Sequence, residues 1–131
     1  MLDVYAIERD ALLVARPKGI LDAEMAEGIV DFIEIKECHI ETGFNRFCDL
    51  TRLERVHLSP AEIQNLSARR RAFNPNDIHV KSAFLVSDPL AFGIATMYEQ
   101  LLNSPRIEVR VWSNLIAAAT WLGVRPDILT L

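Results

Sequence analysis

The sequence predicts an α/β fold built on a largely parallel sheet. Two short apolar runs near its start are separated only by Asp10-Ala11, which is typical of a hairpin. After them, each strand-like run is followed by a helix-like run, the pattern of a parallel sheet with right-handed crossovers. One strand, SAFLVS at 82–87, is almost wholly apolar, as expected where helices cover both sheet faces. The predicted order is ββαβαβαβα, with five strands and four helices in one domain over residues 1–131.

The first half of the chain supplies the hairpin, one helix and a third strand. VYAIER (4–9) and LLVARP (12–17) are the hairpin strands. The segment 22–40 is predicted to be helical, because its apolar residues recur on one stripe and its acidic residues lie opposite. Asp22 is placed to cap this helix. FNRFCDL (44–50) is the third strand.

The second helix, predicted over 59–74, has the strongest start signal in the chain. Ser59 and Glu62 have the spacing of a capping box, in which each side chain binds the backbone N–H of the other residue. Pro60 stands in the first helical position, where its missing N–H costs nothing. These local signals predict where the helix begins.

The second half of the chain alternates strand and helix. The SAFLVS strand is followed by a helix over 88–103, for which Asp88 is the predicted cap. IEVRVW (107–112) alternates apolar and polar residues, as a strand with one solvated face does. The last helix covers 113–123 and ends at Gly123.

Composition and charge exclude several classes of protein. The 131 residues carry 14 basic and 18 acidic side chains, and this net charge of -4 argues against nucleic-acid binding through a basic face. No apolar run approaches the roughly 20 residues of a membrane-spanning helix, so no membrane insertion is expected. The opening MLDVYAIERD has charges where a secretory leader would be apolar. We therefore expect a cytoplasmic protein with reduced cysteines.

The sequence contains no recognisable catalytic or metal-binding motif, so it predicts neither an enzyme nor a cofactor. His39, His57 and His79 form no local pair with metal-ligand spacing. Cys38 and Cys48 form no CxxC motif, and we expect both thiols to be buried and unreactive. The sequence has neither a glycine-rich phosphate loop nor a GxSxG nucleophile motif. The chain is therefore expected to act by binding, without a metal.

Two stretches of the sequence carry a resemblance to a known family. One is FCDLTRL (47–53) with the helix that opens at Ser59, and the other is SDPLAFGIATMYEQLL (87–102) followed by IEVRVW and AAATWLG. Together with the element order, they resemble the SpoIIAA-like, or STAS, fold. The chain is similar to the small stand-alone bacterial STAS-like proteins that are grouped with CRAL-TRIO lipid-binding domains. This resemblance covers nearly the whole chain and implies a five-stranded sheet with an N-terminal hairpin.

The resemblance implies two alternative functions. One is a regulatory module that binds a protein partner, like the anti-sigma-factor antagonists, in which a serine at the position of Ser59 is phosphorylated. The sequence departs from that pattern, because His57-Leu58 precede the serine and Pro60 follows it. Ser59 is therefore predicted to act mainly as a helix cap, in preference to a phosphorylation switch. The alternative function is binding of a small molecule or lipid in an apolar pocket beside helix 88–103.

Two interpretations are open for the arginines that end the second helix. Arg69, Arg70 and Arg71 can complement the helix dipole at its C-terminus. They can also form a basic patch that binds an anionic partner. The first interpretation is favoured, because charge runs are usually solvated faces.

The helix over 88–103 has a broader apolar surface than covering one sheet requires. Phe92, Gly93, Met97 and Tyr98 belong to this surface, and Trp112 on the next strand is a second large apolar group. The excess can be buried by the last helix, by a second copy of the chain, or by an apolar small molecule. Outside the chain's own core, a homodimer is the first choice and a ligand the second.

Overall fold

The structure, a computed structural model, describes residues 1–73 and 75–131. Asn74, the predicted last residue of the second helix, lies outside them. Over the described residues there are four α-helices: α1 (Ala23–Glu37), α2 (Pro60–Ala72), α3 (Pro89–Leu102) and α4 (Leu115–Leu122). The strands over these residues are β1 (Leu2–Ile7), β2 (Leu12–Pro17), β3 (Gly19–Asp22), β4 (Asn45–Asp49), β5 (Leu53–His57), β6 (Val80–Leu85) and β7 (Ile107–Trp112).

The main sheet has five strands in the order β1-β2-β4-β6-β7. β1 runs antiparallel to β2, and every other neighbouring pair in this sheet is parallel. The predicted α/β class, the N-terminal hairpin, the five-stranded mostly parallel sheet and the four helices are therefore confirmed.

A second, two-stranded sheet adds to the predicted order. β3 and β5 pair in parallel, although the sequence pattern assigns their residues to connections. His57, which lies between the predicted third strand and second helix, is the last residue of β5. These strands have only four and five residues and little buried surface, so they lack a strong apolar signal of their own. β5 delivers the chain almost directly to the start of α2.

A side-chain cap marks the start of each of the four described α-helices. Asp22 accepts a hydrogen bond from the backbone N–H of Met25 at 2.9 Å, and Asp88 accepts one from Ala91 at 2.9 Å. The α4 cap is Asn114. Gly123 ends α4 in the left-handed region, at a φ of 76°, which glycine adopts without a Cβ clash. The predicted caps at Asp22 and Asp88 and the stop at Gly123 are confirmed.

The helices divide unequally between the two faces of the main sheet. On one face, α4 lies against β6 and β7, and its Ala118 and Ala119 belong to a cluster with residues of β2, β4 and β6. On the other face, α1, α2 and α3 pack against a cluster that includes Ala15 and Cys48. Within the described residues, no helix is long and apolar enough to cross a membrane. The candidate site lies on the face that three helices cover.

A candidate binding cavity beside the main sheet

A cavity lies between the main sheet and helices α1, α2 and α3. The volume of this cavity is ≈ 100 Å³. Its walls are mostly apolar side chains from the sheet and from all three helices, among them Leu13, Ile29, Leu66, Ile94 and Ala95. A lined apolar space with a few polar groups is the usual form of a small-molecule site.

Polar groups meet at one part of this cavity wall. Arg46 lies on β4 beside its cross-strand neighbour Ser82 of β6, and both line the cavity. Arg70 reaches the same wall from α2, and Tyr98 reaches it from α3. Separate elements of the fold thus bring two guanidinium groups and a phenol together.

Glu37 of α1 holds both arginines. Its carboxylate accepts hydrogen bonds from Arg70 Nη1 at 2.8 Å, from Arg70 Nη2 at 2.6 Å and from Arg46 Nη2 at 2.8 Å. Glu37 is 0% exposed, Arg70 is 2% exposed and Arg46 is 3% exposed. Buried charges need such pairing, because an unpaired one would carry a large desolvation penalty.

The pKa shifts reflect this burial. Burial lowers the pKa of Arg46, although the negative charge of Glu37 opposes the change. Burial also acts to lower the pKa of Arg70, but hydrogen bonds and attraction to Glu37 outweigh it and raise the value. The pKa of Tyr98 is raised by burial, and the charges of Arg70 and Arg46 partly oppose the rise. The phenol is therefore a neutral donor at physiological pH.

Arg46 has a buried nitrogen whose hydrogen-bonding capacity its neighbours leave unused. Its Nε is buried and has no hydrogen-bond partner within the described residues. Sequence reasoning did not select Arg46 or Glu37. The available signal is an arginine in the predicted strand FNRFCDL, where a buried charge is rare unless it has a partner.

The three arginines that end α2 differ in their surroundings. Arg70 is buried, and Arg69, which is partly exposed, pairs with Asp31 at 2.6 Å and with Glu34 at 2.8 Å. Arg71 is exposed and donates to the backbone carbonyl of Leu101. Arg69 and Arg70 thus pair with the acidic side of α1, and binding of an anionic partner by these arginines stays a prediction.

Ser59 stands at the start of α2 in the predicted capping box. Its hydroxyl accepts from the backbone N–H of Glu62 at 3.1 Å, and the Glu62 carboxylate accepts from the backbone N–H of Ser59 at 2.9 Å. Ser59 is exposed, while its neighbours Leu58 and Ile63 line the cavity. The cap geometry is confirmed, and the switch stays a prediction.

Helix α3 presents different residues to the cavity and to solvent. Tyr98 faces inward, and its ring packs edge-on against Phe84 with centroids 5.7 Å apart. Phe92 is 51% exposed. Gly93 is also exposed, and apart from its chain neighbours and the backbone of its own helix, no described atom lies within 4 Å of where its Cβ would stand. Met97 is partly buried. The broad apolar surface of α3 thus includes a solvent-facing part at Phe92.

Trp112 does not share a surface with Phe92, although the sequence pattern groups the two. Its indole packs against Trp121, with ring centroids 5.8 Å apart, in the cluster on the α4 face of the sheet. Its neighbour Val111 packs on the opposite face, with α3. Because side chains alternate along a strand, Trp112 and Phe92 lie on opposite sides of the sheet.

The two cysteines differ in exposure. Cys48 is buried, lines the cavity, and has its pKa raised by burial well above the ordinary value. Cys38 is exposed at the C-terminal end of α1, so the prediction that it is buried is wrong. Residues 1–73 and 75–131 contain no group of three or more His, Cys, Asp or Glu side chains arranged to hold a metal ion.

Comparison with known proteins supports the fold assignment. No protein-family model and no curated protein matches the chain. Among solved structures, the chain is similar to an uncharacterised DUF3478-family protein with a SpoIIAA-like fold from Shewanella loihica PV-4. The two share 16% sequence identity and superpose with a TM-score of 0.60, over 93% of this chain and 92% of that one. The chain therefore has a SpoIIAA-like fold, as its sequence predicts.

Proposed function

We propose that this protein is a binding module for a small apolar molecule, held in the cavity between the main sheet and helices α1–α3. One observation carries the proposal: a cavity of ≈ 100 Å³ is lined mostly by apolar side chains. Protein interiors are normally packed with few voids larger than one water molecule. A space of this size on one face therefore favours a ligand over imperfect packing.

The position of the cavity also supports binding. α1, α2 and α3 each contribute one wall, so small displacements of these helices can admit a ligand without changing the sheet. Burial in such a site is driven by the removal of apolar surface from water. The proposal needs no reacting group.

Toluene is a suitable probe, because it is apolar and carries no hydrogen-bonding group. We expect toluene to shift the amide resonances of cavity-lining residues in a ¹⁵N-labelled sample, with saturation at one site. The cavity is blocked by Ala95→Leu, because Ala95 lines it and is buried. The matched control is Phe92→Ala, an exposed change on the same helix outside the cavity lining.

The expected result is saturable toluene binding in the parent and in Phe92→Ala, and loss of binding in Ala95→Leu. A second blocking variant, Ala26→Leu, covers the case in which Ala95→Leu fails to fold. The proposal is overturned if toluene leaves the cavity resonances unmoved, or if both folded blocking variants bind it like the parent.

Regulatory binding of a protein partner is the second candidate function. Its support is the SpoIIAA-like fold together with the exposed Ser59 hydroxyl at the start of α2. Mass spectrometry of the protein isolated from its native host tests this function. Stoichiometric phosphate on Ser59 would favour it, and unmodified Ser59 under all growth conditions would count against it.

A further inference from the structure

The polar part of the cavity wall contains an unused hydrogen-bond donor. Arg46 is 3% exposed and lines the cavity, and its Nε has no partner within the described residues. Buried donors in folded proteins are nearly always satisfied, because leaving one unpaired costs about 1–3 kcal/mol. The donor on Arg46 therefore indicates a group that is supplied from outside the chain.

The charges around this donor indicate the sign of that group. Arg46 and Arg70 share the Glu37 carboxylate, and Arg70 also contacts Glu34 at 3.3 Å. Farther out, Arg69 pairs with Asp31 and with Glu34. Among the described residues, Arg46 is therefore the one arginine of this network with a single ion pair, and that pair is shared. A negative charge beside Arg46 would give it a second partner, where low polarity strengthens the attraction.

Tyr98 supplies a second donor near the same place. Its phenol lines the cavity. Arg46 and Arg70 line the same cavity, and their positive charges oppose the rise that burial causes in the pKa of the phenol. A neutral phenol and a guanidinium N–H are both donors, so they suit a ligand group that only accepts hydrogen bonds.

We propose that the cavity takes a small apolar molecule carrying one carboxylate, and that this carboxylate accepts hydrogen bonds from Nε of Arg46 and from the hydroxyl of Tyr98. The apolar body of the ligand lies among the aliphatic side chains of α1, α2 and α3. This assignment rests on the proposed function and adds the chemical class of the ligand.

Other polar groups fit this position less well than a carboxylate. A phosphate monoester carries nearly two negative charges at neutral pH, and burying both beside one incompletely paired guanidinium carries a larger desolvation penalty than burying one. An alcohol or an amide satisfies the donor on Arg46 but brings no negative charge to pair with its guanidinium. A carboxylate matches both the donor and the charge.

Benzoate and toluene form the matched probe pair. They share a phenyl ring and differ by one carboxylate, and the ring suits a space on the order of the ~150 Å³ engineered cavity that binds benzene. Affinities are measured by calorimetry near pH 7, where benzoate is ionised. We expect the parent to bind benzoate about tenfold or more tightly than toluene, the scale of one charge-assisted hydrogen bond.

Two variants remove the proposed donors. In Arg46→Met, Glu37 keeps its two hydrogen bonds from Arg70, so its carboxylate stays paired. In Tyr98→Phe, the ring is kept and the hydroxyl is lost. We expect the benzoate-to-toluene affinity ratio to fall about tenfold in Arg46→Met and several-fold in Tyr98→Phe. The control is Arg69→Met, which removes a charge from the outer part of the network, away from the cavity wall. It should keep the parent ratio.

Failure of this inference is distinguishable from failure of the proposed function. If toluene and benzoate bind the parent equally well, the ligand class is wrong, although the cavity binds small molecules. If both donor variants keep the parent ratio, the carboxylate contacts are wrong. If neither probe binds the parent, the proposed function fails first. Should Arg46→Met not fold, Tyr98→Phe alone decides the contact, because it removes only one oxygen.

Discussion

Two buried arginines on neighbouring strands of the main sheet differ in how completely their nitrogens are hydrogen-bonded. Arg16 of β2 faces α4, and each of its three nitrogens has a partner: Tyr5 at 3.0 Å, Asp49 at 2.9 Å and the carbonyl oxygen of Leu129. Arg46 of β4 faces α1–α3, and its Nη2 pairs with Glu37 while its Nε is unpaired within the described chain. Both are nearly inaccessible to solvent.

The difference between these arginines reflects a difference between the two faces. On the α4 face, small residues at Ala118 and Ala119 let the helix lie close to the strands, and both are 0% exposed. On the other face, three helices enclose a cavity. A saturated arginine indicates a structural role, whereas the unsaturated one beside the cavity is the residue to which we assign binding.

The largest expected effect comes from removing the saturated arginine. Arg16→Met should reduce the free energy of unfolding by about 3–5 kcal/mol, because Asp49 loses its buried partner. Arg46→Met should cost clearly less, since Arg70 still pairs with Glu37. Urea unfolding of both variants measures the contrast. Equal losses in the two variants would show that the arginines have the same structural role.

The next expected effect is a loss of stability at alkaline pH, and the residues responsible for it lie on the cavity face. Burial raises the pKa of Cys48 above its ordinary value of 9.0 and also raises that of Tyr98, and both residues line the cavity. Above about pH 9 the unfolded chain releases the thiol proton, but the folded chain retains it. Stability therefore falls with rising pH, by up to about 1.4 kcal/mol per pH unit for each such group.

Urea unfolding between about pH 8 and pH 10 tests this dependence. Cys48→Ala should make the fall of stability with pH shallower, because it removes a thiol that keeps its proton in the folded chain and releases it in the unfolded chain. Cys38→Ala, a change at the exposed thiol, should leave the decline as in the parent. If Cys48→Ala declines as steeply as the parent, the buried thiol is not a source of the alkaline sensitivity.

The features of this chain that were predictable from sequence depend on near neighbours. The two residues of the Ser59–Glu62 box are three positions apart, and so are the partners in the caps at Asp22 and Asp88, so each leaves a local pattern. Apolar periodicity, capping residues and stop signals likewise indicated the helices, and apolar runs indicated all five strands of the main sheet. Those signals suffice for the fold class.

The features that were not predictable depend on residues distant in the chain. Arg70 and Glu37 are 33 positions apart, so the charge run at Arg69–Arg71 resembles a solvated patch until the packing of α2 near α1 is known. The short β3–β5 pair likewise depends on a remote partner. A cavity is a property of packing between elements, and no single segment encodes it.

Loss of the α2 cap should have a smaller effect, on the cavity face. Ser59→Ala should reduce the free energy of unfolding by about 1 kcal/mol, within a range of about 0.5–2, and Ser59→Asp should keep most of it because aspartate also caps. Urea unfolding gives both values, with Ser113→Ala as a control at an exposed serine. Because α2 carries Arg70, parent-like stability in Ser59→Ala would mean that packing alone positions this helix.

The smallest expected effect on folding comes from the outer side of α3. Phe92 is 51% exposed, so Phe92→Glu should change the stability of the folded subunit by no more than about 0.5 kcal/mol. If the exposed part of α3 pairs with a second copy of the chain, the same change should convert a homodimer into a folded monomer. Self-complementary apolar surfaces usually pair by two-fold symmetry, and a buried glutamate would oppose that contact.

Ile116 of α4 provides the matched control for this prediction, because it is 64% exposed and lies on a helix of the opposite face. Light scattering at high protein concentration should show a dimer for the parent and for Ile116→Glu, and a monomer for Phe92→Glu. A monomeric parent would make the homodimer prediction wrong. Dissociation by Ile116→Glu alone would assign the contact to α4. Dissociation by Phe92→Glu alone would give the cavity face two uses, with a ligand on the inner side of α3 and a second subunit on its outer side.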